Sequence, residues 1–253
     1  MIPRRILGVG LAIPFLLLPF PCRYCVPSVQ GQTGTILEVG TFSQSSPGTE
    51  FPQGWKPLHF QNIERTTRYI LVKDGDNVVV KAMSAASASG LIREIQINPK
   101  EYPIVRWRWK VENILKKGNV KLKTGDDYPA RIYITFDYDP KKLNFFEKTK
   151  YNTYRLLYGK YPPLGAINYI WESTAPKGTV VPNPYTSRVI MIVVESGQEK
   201  VNQWVSEERN ILDDYKRAFG EEPPMISGVA IMTDTDNTGE SAVAYYGDIS
   251  FHK

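Results

Sequence analysis

The chain has 253 residues, of which 42% are hydrophobic and 12% aromatic, and this is enough apolar material to bury a core without cross-links. Its 31 Lys and Arg exceed its 26 Asp and Glu by only 5, which gives no reason to expect a nucleic-acid partner. Both cysteines, Cys22 and Cys25, lie near the N-terminus. A mature chain that begins after them has no disulfide, no thiolate metal site and no cysteine nucleophile.

The first 31 residues have the pattern of a secretory signal peptide. Arg4 and Arg5 precede an apolar run at 6–20, and the tripeptide VQG at 29–31 offers small residues for cleavage. The run contains two prolines and is short for a membrane span of about 20 residues, which argues against a stable transmembrane anchor. We therefore expect a signal peptide at 1–31 and a single domain at 32–253, in a protein that is periplasmic or secreted.

After the signal segment, the sequence is typical of short β-strands separated by turns. We predict strands at 36–42, 56–60, 68–73, 77–83, 91–97, 103–111, 130–138, 168–173 and 188–195. The tripeptide DGD at 74–76 predicts a hairpin between the third and fourth of these. In residues 103–111, Trp107 and Trp109 share the apolar face, and both are predicted to lie in the core.

Two segments are predicted to be helical. Residues 141–158 are weakly amphipathic, and in residues 203–219 the side chains of Trp204 and Tyr215 recur on one side, with Gly220 as a natural stop.

The chain closes on two apolar runs, 229–232 and 242–246, which flank an acidic turn and are predicted to pair as a β-hairpin. Because the strands do not alternate with helices, the order predicts a mainly β fold. We expect an antiparallel, jelly-roll-like β-sandwich with one or two peripheral helices.

The closing turn carries Asp234, Asp236, Asn237 and Glu240 within seven residues. Their hard oxygens suit Ca²⁺ better than zinc, although the spacing is not that of an EF-hand loop. The alternative is an ordinary turn in which Asp and Asn side chains bond their own backbone. Ca²⁺ is therefore the one cofactor that the sequence leaves open.

Three arginines, Arg106, Arg108 and Arg131, lie on the non-core faces of strands that could be neighbours. Together they would bind carboxylates or phosphates bidentately, unless they form an internal ion-pair network with aspartates. A jelly roll could bring the ends of two strands together, and we therefore predict that Arg131 pairs with Asp234.

Tyr133, Trp171 and Tyr246 are predicted at the surface, where an aromatic ring can stack on the apolar face of a sugar. The sequence has no serine-hydrolase, zinc-protease or phosphate-loop motif. Two carboxylates for a hydrolase could come from Asp126 or Asp127 with Asp234 or Glu172, but acids are too common for this to be specific. A Tyr, Arg and Lys set acting beside a uronic acid is a further alternative.

Several motifs resemble the bacterial family called domain of unknown function 3047. They are WRW at 107–109, GDDYPAR at 125–131, NYIW at 168–171, DY at 214–215 with AFG at 218–220, and IMTDTDNTG at 231–239. The resemblance covers roughly residues 50–251. The resemblance implies an exported protein of one domain, and it assigns no catalytic residue to this chain.

Polar residues in such motifs indicate a site, since a fold is held mainly by apolar positions. The predicted ligand-binding residues are Asp126, Asp127, Arg131, Tyr133, Trp171, Asp234, Asp236 and Asn237. We expect an exported β-sandwich that binds a glycan or another cell-envelope component. The alternatives are a lyase or hydrolase acting on an envelope polysaccharide, and a purely structural periplasmic protein.

Overall fold

The computed structural model describes residues 35–49, 51–60, 63–137 and 165–253, so the predicted signal peptide and the predicted helix at 141–158 lie outside the described residues. The strands are β1 (Ile36–Gly40), β2 (Lys56–Leu58), β3 (Arg68–Asp74), β4 (Asn77–Ala85), β5 (Ala88–Ile97), β6 (Ile104–Val111), β7 (Ala130–Phe136), β8 (Gly165–Glu172), β9 (Val180–Asn183), β10 (Thr186–Ser196), β11 (Val205–Asn210), β12 (Ile226–Asp234) and β13 (Ser241–His252). One α-helix, α1 (Ile211–Phe219), is found in these residues. No described helix is long and apolar enough to cross a membrane.

The strands form two sheets. Sheet A has the order β11-β6-β13-β4-β3, with β1 also paired to β13, and sheet B has the order β2-β5-β12-β7-β8-β10-β9. In the described part of the chain the neighbours are antiparallel except β8 and β10, which are parallel. The prediction of a mainly β sandwich with a peripheral helix is confirmed, and the parallel pair is its one departure from an antiparallel pattern.

The core lies between the two sheets. On β6 the alternate residues Val105, Trp107, Trp109 and Val111 are buried. Trp107 stacks on Tyr169 of sheet B with 5.2 Å between ring centroids, and it meets Trp109 edge-on at 5.5 Å. The prediction that both tryptophans are core residues is confirmed.

The outer face of sheet B carries a second, smaller apolar cluster. Ile170, Met191 and Val193 project outward from β8 and β10 and pack against Val120 and Tyr128 of the loop between β6 and β7. Burying these side chains fixes the loop on the sheet. The polar residues of this loop therefore lie beside the outer face of β7.

The predicted closing hairpin is wrong. Strand β12 pairs with β5 and β7 in sheet B, whereas β13 pairs with β4, β6 and β1 in sheet A. Each strand already has a neighbour on both edges, so neither has an edge for the other. The acidic turn at 235–240 therefore crosses from one sheet to the other.

The prediction of one helix over 203–219 is wrong in its first half. Residues Val205–Asn210 form β11, which pairs with β6, and Val205 and Glu207 alternate inward. The helix begins at Ile211 because the Asn210 carboxamide oxygen accepts the first free N–H groups of α1, from Leu212 at 3.0 Å and from Asp213 at 3.3 Å. It ends as predicted at Gly220, whose φ of 74° is left-handed.

Candidate functional site

A groove of about 520 Å³ lies on the outer face of sheet B, where β7 and β12 meet the crossing turn. Arg131 and Tyr133 reach it because they alternate with the core residues Ile132 and Ile134 on β7. The predicted ligand-binding residues that line the groove are Asp126, Arg131, Tyr133, Asp234, Asp236 and Asn237. Sequence positions more than a hundred apart thus meet at one place.

The floor of the groove is a buried ion pair between Arg131 and Asp234, which are 4% and 1% exposed. Arg131 Nη2 donates to Asp234 Oδ2, which confirms the predicted pairing. The guanidinium also lies over the rings of Tyr128 and Tyr133, at 5.1 and 5.5 Å from their centroids. Arg131 is therefore held by one carboxylate and two aromatic rings.

Electrostatics in this floor are dominated by burial and by the crowding of acids. Burial raises the pKa of Asp234, an effect that Arg131 opposes and that Asp127, Asp126 and Asp236 reinforce. Burial lowers the pKa of Arg131, but Asp234 and the other neighbouring acidic groups together more than offset this, and the pKa lies above its ordinary value. Arg131 therefore stays protonated and supplies a fixed positive charge.

Two groups at the floor keep unused hydrogen-bonding capacity. Arg131 Nε, Arg131 Nη1 and Asp126 Oδ1 are buried and have no hydrogen-bond partner within the described ranges. Arg131 Nη1 and Asp126 Oδ1 are 4.0 Å apart, which is too far for a direct hydrogen bond. The other oxygen of Asp126 is fixed by Asn183, whose Nδ2 donates to it at 2.7 Å. A donor and an acceptor thus face each other across a short gap.

Asp127 does not line the groove but holds the crossing turn in place. Its Oδ1 accepts from the backbone N–H and the side-chain amide of Asn237, at 3.3 and 3.1 Å, and its Oδ2 accepts from Thr238 N–H at 2.6 Å. Asn237 in turn accepts a hydrogen bond from Tyr185 Oη at 2.6 Å. This chain of contacts orients Tyr185 at the rim, so Asp127 acts by positioning.

Asp127, Asp234 and Asp236 each place one carboxylate oxygen within 4.8 Å of the other two. Burial raises the pKa of Asp236, and the charge of Asp127 adds to the effect. Three carboxylates suit a hard cation such as Ca²⁺. However, Asp127 already accepts three N–H groups and Asp234 already binds Arg131, so a cation here would compete with existing partners.

A protein-family model described as "Protein of unknown function (DUF3047)" matches residues 53–250. The chain belongs to this family. The predicted resemblance is thereby confirmed. No curated protein matches the chain significantly.

Solved structures show weak likenesses. The family 11 carbohydrate-binding module of the cellulosomal cellulase Lic26A-Cel5E of Clostridium thermocellum has 9% identity and a TM-score of 0.38, over 87% of this chain and 96% of that chain. The Spr0440 glycoside hydrolase domain, Endo-D, of Streptococcus pneumoniae R6 has 8% identity and a TM-score of 0.31, over 78% of this chain and 21% of that chain. At these scores neither likeness bears on what this chain binds.

Two aromatic residues predicted at the surface lie in the core instead. Trp171 and Tyr246 are both fully buried. Trp171 is on the inner face of β8, 6.0 Å from Trp109, and its Nε1 donates to Gly197 O at 3.1 Å. Tyr246 Oη donates to Met232 O at 2.6 Å. Of the three predicted aromatics only Tyr133 lines the groove, so Trp171 is not available for stacking on a ligand.

The three arginines do not share a sheet face, because β6 belongs to sheet A and β7 to sheet B. Arg106 pairs with Glu208 at 2.6 Å, and the Arg108 guanidinium lies 4.7 Å from the ring centroid of Trp204. Glu172 also lies apart from the groove lining, because its carboxylate binds the backbone N–H groups of its own following turn. The carboxylate pairs considered for a hydrolase that include Glu172 are therefore not formed in the groove.

The rim of the groove includes residues that the sequence did not indicate, notably Phe60, Asn183 and Tyr185. Tyr185 is 57% exposed and Phe60 is 37% exposed. Asn183 ends β9 and Tyr185 lies in the tight connection to β10, where Asn183 pairs with Thr186. Val180 and Val181, two β-branched residues at the start of β9, were the available signal for this hairpin.

Proposed function

We propose that this protein binds a carbohydrate in the groove through the sugar hydroxyl groups. The observation that carries the proposal is the gap of 4.0 Å between Arg131 Nη1 and Asp126 Oδ1, neither of which has a hydrogen-bond partner in the described residues. A hydroxyl group both donates and accepts, so a single hydroxyl between these atoms satisfies both. A carboxylate ligand would satisfy Arg131 but would repel Asp126.

The rim of the groove supports the same ligand class. Tyr185 and Phe60 are exposed aromatic side chains, and Tyr133 presents a third ring nearer the floor. Aromatic rings pack on apolar surfaces while a hydroxyl such as that of Tyr185 keeps a polar contact. A site with a polar floor and aromatic walls, of a volume usual for small-molecule sites, is what a sugar residue requires.

The arrangement supports binding more strongly than hydrolysis or a purely structural role. Asp234 is bound by Arg131 and Asp127 by the crossing turn, so neither is placed as a nucleophile or base. The ion pair between Arg131 and Asp234 fixes the floor of the groove, but it leaves Arg131 Nη1 and Asp126 Oδ1 without a hydrogen bond in the described residues.

We further propose that the protein is exported from the cytoplasm. Its ligand would then be a glycan of the cell envelope. The support is the pattern of residues 1–31, with Arg4 and Arg5 ahead of the apolar run. Expression of the full chain in a Gram-negative host, followed by fractionation and N-terminal sequencing, should give a periplasmic protein that begins near Gln32. Recovery only from detergent-extracted membranes with Met1 retained would contradict export.

The binding proposal is tested with a glycan array followed by calorimetric titration of the oligosaccharides that bind. Tyr185→Ala and Asp126→Ala should each lower the affinity about tenfold or more, because each removes one contact to the sugar. Phe51→Ala is the matched control, since Phe51 is 41% exposed and does not line the groove. Unchanged affinity in both groove variants, with intact melting curves, would mean that the sugar binds elsewhere or not at all.

A further inference from the structure

The groove is acidic as well as polar. Its lining contains three carboxylates, from Asp126, Asp234 and Asp236, and one guanidinium, from Arg131. Asp127 adds a fourth carboxylate directly behind the lining. With every group ionised, one positive charge faces four negative charges.

The nearby lysines do not balance this excess. Lys123 lies over the ring of Tyr185, with Nζ 5.1 Å from the centroid, and Lys117 Nζ donates to Thr238 O at 3.0 Å. Neither lines the groove. Exposed charges of this kind are screened by water and salt, whereas the buried carboxylates are screened far less.

The titration behaviour of the surrounding groups supports a negative potential that extends to the rim. Burial raises the pKa of the Tyr185 hydroxyl, and the charges of Asp126, Asp236 and Asp127 raise it further. Burial and then Asp127 raise the pKa of Asp236. Both shifts come first from burial, and the neighbouring carboxylates add to them.

We propose that the groove selects sugars that carry a primary ammonium group, as an amino sugar without its acetyl group does, over neutral and acidic sugars. This inference rests on the proposed binding of carbohydrate. An ammonium group has three donors and no acceptor, which matches a lining rich in carboxylate and amide oxygens. Asp126 Oδ1 has no hydrogen bond within the described ranges and lies on a side chain that is 5% exposed. A carboxylate oxygen has two lone pairs, so it can accept both the sugar hydroxyl proposed above and an ammonium N–H.

Acidic sugars are disfavoured for the same reason. A uronic acid would bring a fifth carboxylate beside Asp126 and Asp236, and only Arg131 could pair with it. Arg131 keeps two donors for such a carboxylate, Nε and Nη1, but its single charge is already shared with Asp234. The like-charge contacts with Asp126 and Asp236 would therefore remain. A lyase acting on uronic acids, one of the alternatives raised by the sequence, fits this groove poorly.

The test compares four probes by calorimetry at about pH 6, where amines are protonated. They are oligomers of glucosamine, of N-acetylglucosamine and of galacturonic acid, and a lysine oligomer that contains no sugar. The glucosamine oligomer should bind about tenfold more tightly than the N-acetylated one. That advantage should shrink in about 1 M NaCl, where charges act over only about 3 Å.

Asp236→Asn is the diagnostic variant, because it removes one charge from the lining and keeps the shape. It should lower the affinity for the glucosamine oligomer several times more than the affinity for the N-acetylated oligomer, and so reduce the preference between them. Asp76→Asn, in the exposed turn between β3 and β4, is the matched control and should change neither affinity.

The outcomes separate the two proposals. Equal affinity for the two amino-sugar oligomers, or a preference for galacturonate, would overturn the charge selectivity and leave carbohydrate binding standing. Binding of the lysine oligomer without any of the sugars would support the cationic selectivity and overturn the carbohydrate proposal. If Ca²⁺ raises the melting temperature and binding fails in EDTA, the carboxylates hold a metal ion and the ammonium assignment is wrong.

Discussion

At the scale of single residues, Arg131 combines two roles. One end of its guanidinium pairs with Asp234 in a nearly dry environment, and its other donors face Asp126 at the floor of the groove. Loss of one partner of a buried ion pair leaves an uncompensated charge, which costs far more than the pair itself contributes. The same residue therefore supports the fold and the site.

Arg131→Lys should lower the free energy of unfolding by well over 1 kcal/mol, because an ammonium group cannot reproduce the planar, multiple contacts of the guanidinium. Adding Asp234→Asn should recover part of the loss, since the two residues are coupled. Urea denaturation of the wild type, both single variants and the double variant measures this. Strictly additive losses would show that the ion pair is not coupled as described.

A second buried acid, Glu207, titrates in the neutral range. Burial raises its pKa to about 7, against the opposing charge of Lys177. The folded protein thus binds this proton more tightly than the unfolded chain, whose carboxyl has its ordinary pKa of 4.5. The stabilisation is complete below about pH 4.5 and is lost as the pH rises to about 7, by about 3 kcal/mol at about 1.4 kcal/mol per pKa unit.

Glu207→Gln should remove this dependence, so its free energy of unfolding should change less than that of the wild type between about pH 5 and pH 8. At the upper end of that range, the free energy of unfolding of the variant should be about 2–3 kcal/mol higher than that of the wild type. Glu208→Gln is the control, because Glu208 is exposed and its pair with Arg106 contributes about 0–1 kcal/mol. A Glu207→Gln profile parallel to the wild type would contradict the raised pKa.

At the scale of elements, the junction of β11 and α1 shows how a strand is converted into a helix within one residue. Asn210 has an extended backbone and belongs to β11, while its side chain accepts the N–H groups of Leu212 and Asp213. Without that acceptor, two donors at the start of a nine-residue helix would lose their partner.

Asn210→Ala should therefore lower the free energy of unfolding by about 1 kcal/mol, as the loss of a helix N-cap usually does. Asn210→Ser keeps a side-chain acceptor and should restore most of that stability. Chemical denaturation of both variants gives the comparison. Equal losses in the two variants would mean that the side-chain cap contributes nothing.

The sequence predicted where the strands lie and which side chains face inward better than it predicted which strands pair. Alternation correctly placed Trp107 and Trp109 on the inner face of β6 and Arg131 on the outer face of β7, because the period of two is a local property of a strand. The same alternation does not say which strand lies alongside. The runs before and after the acidic turn therefore read as a hairpin, although they belong to different sheets.

The candidate site could be predicted in part for a similar reason. Asp126, Asp234 and Asp236 stand out as polar residues in long motifs beside strand ends, and they do line the groove. Tyr185 and Phe60 lie in connecting segments without such a motif. Only the pairing of β9 with β10 at the edge of sheet B brings Tyr185 to the rim. Trp171 was misplaced because β8 is covered on both faces, which its sequence alone does not reveal.

At the scale of the whole molecule, Trp107 joins the two sheets by its contact with Tyr169. Trp107→Ala should lower the free energy of unfolding by about 3–5 kcal/mol, as large-to-small changes in a core do. Because Trp107 does not line the groove, the folded fraction should bind the glucosamine oligomer as the wild type does. A variant that melts like the wild type but loses the ligand would place the binding face on the other side of β6.

The fold builds the groove from segments that are far apart in the chain. The loop before β7, the β9–β10 connection and the crossing turn after β12 converge on the outer face of sheet B, and Asp127 ties the first of these to the last. The two sheets stabilise the scaffold, while the residues proposed to contact a ligand lie on connections and strand ends.

Whether the groove on sheet B binds a carbohydrate is tested most directly by nuclear magnetic resonance titration of the isotopically labelled protein with the glucosamine oligomer. We expect the largest shifts on Tyr133, Tyr185 and Asn237 and on the side-chain N–H groups of Arg131. Shifts centred on the outer face of sheet A, around Arg108 and Trp204, or no saturable shifts with any oligosaccharide, would contradict this expectation.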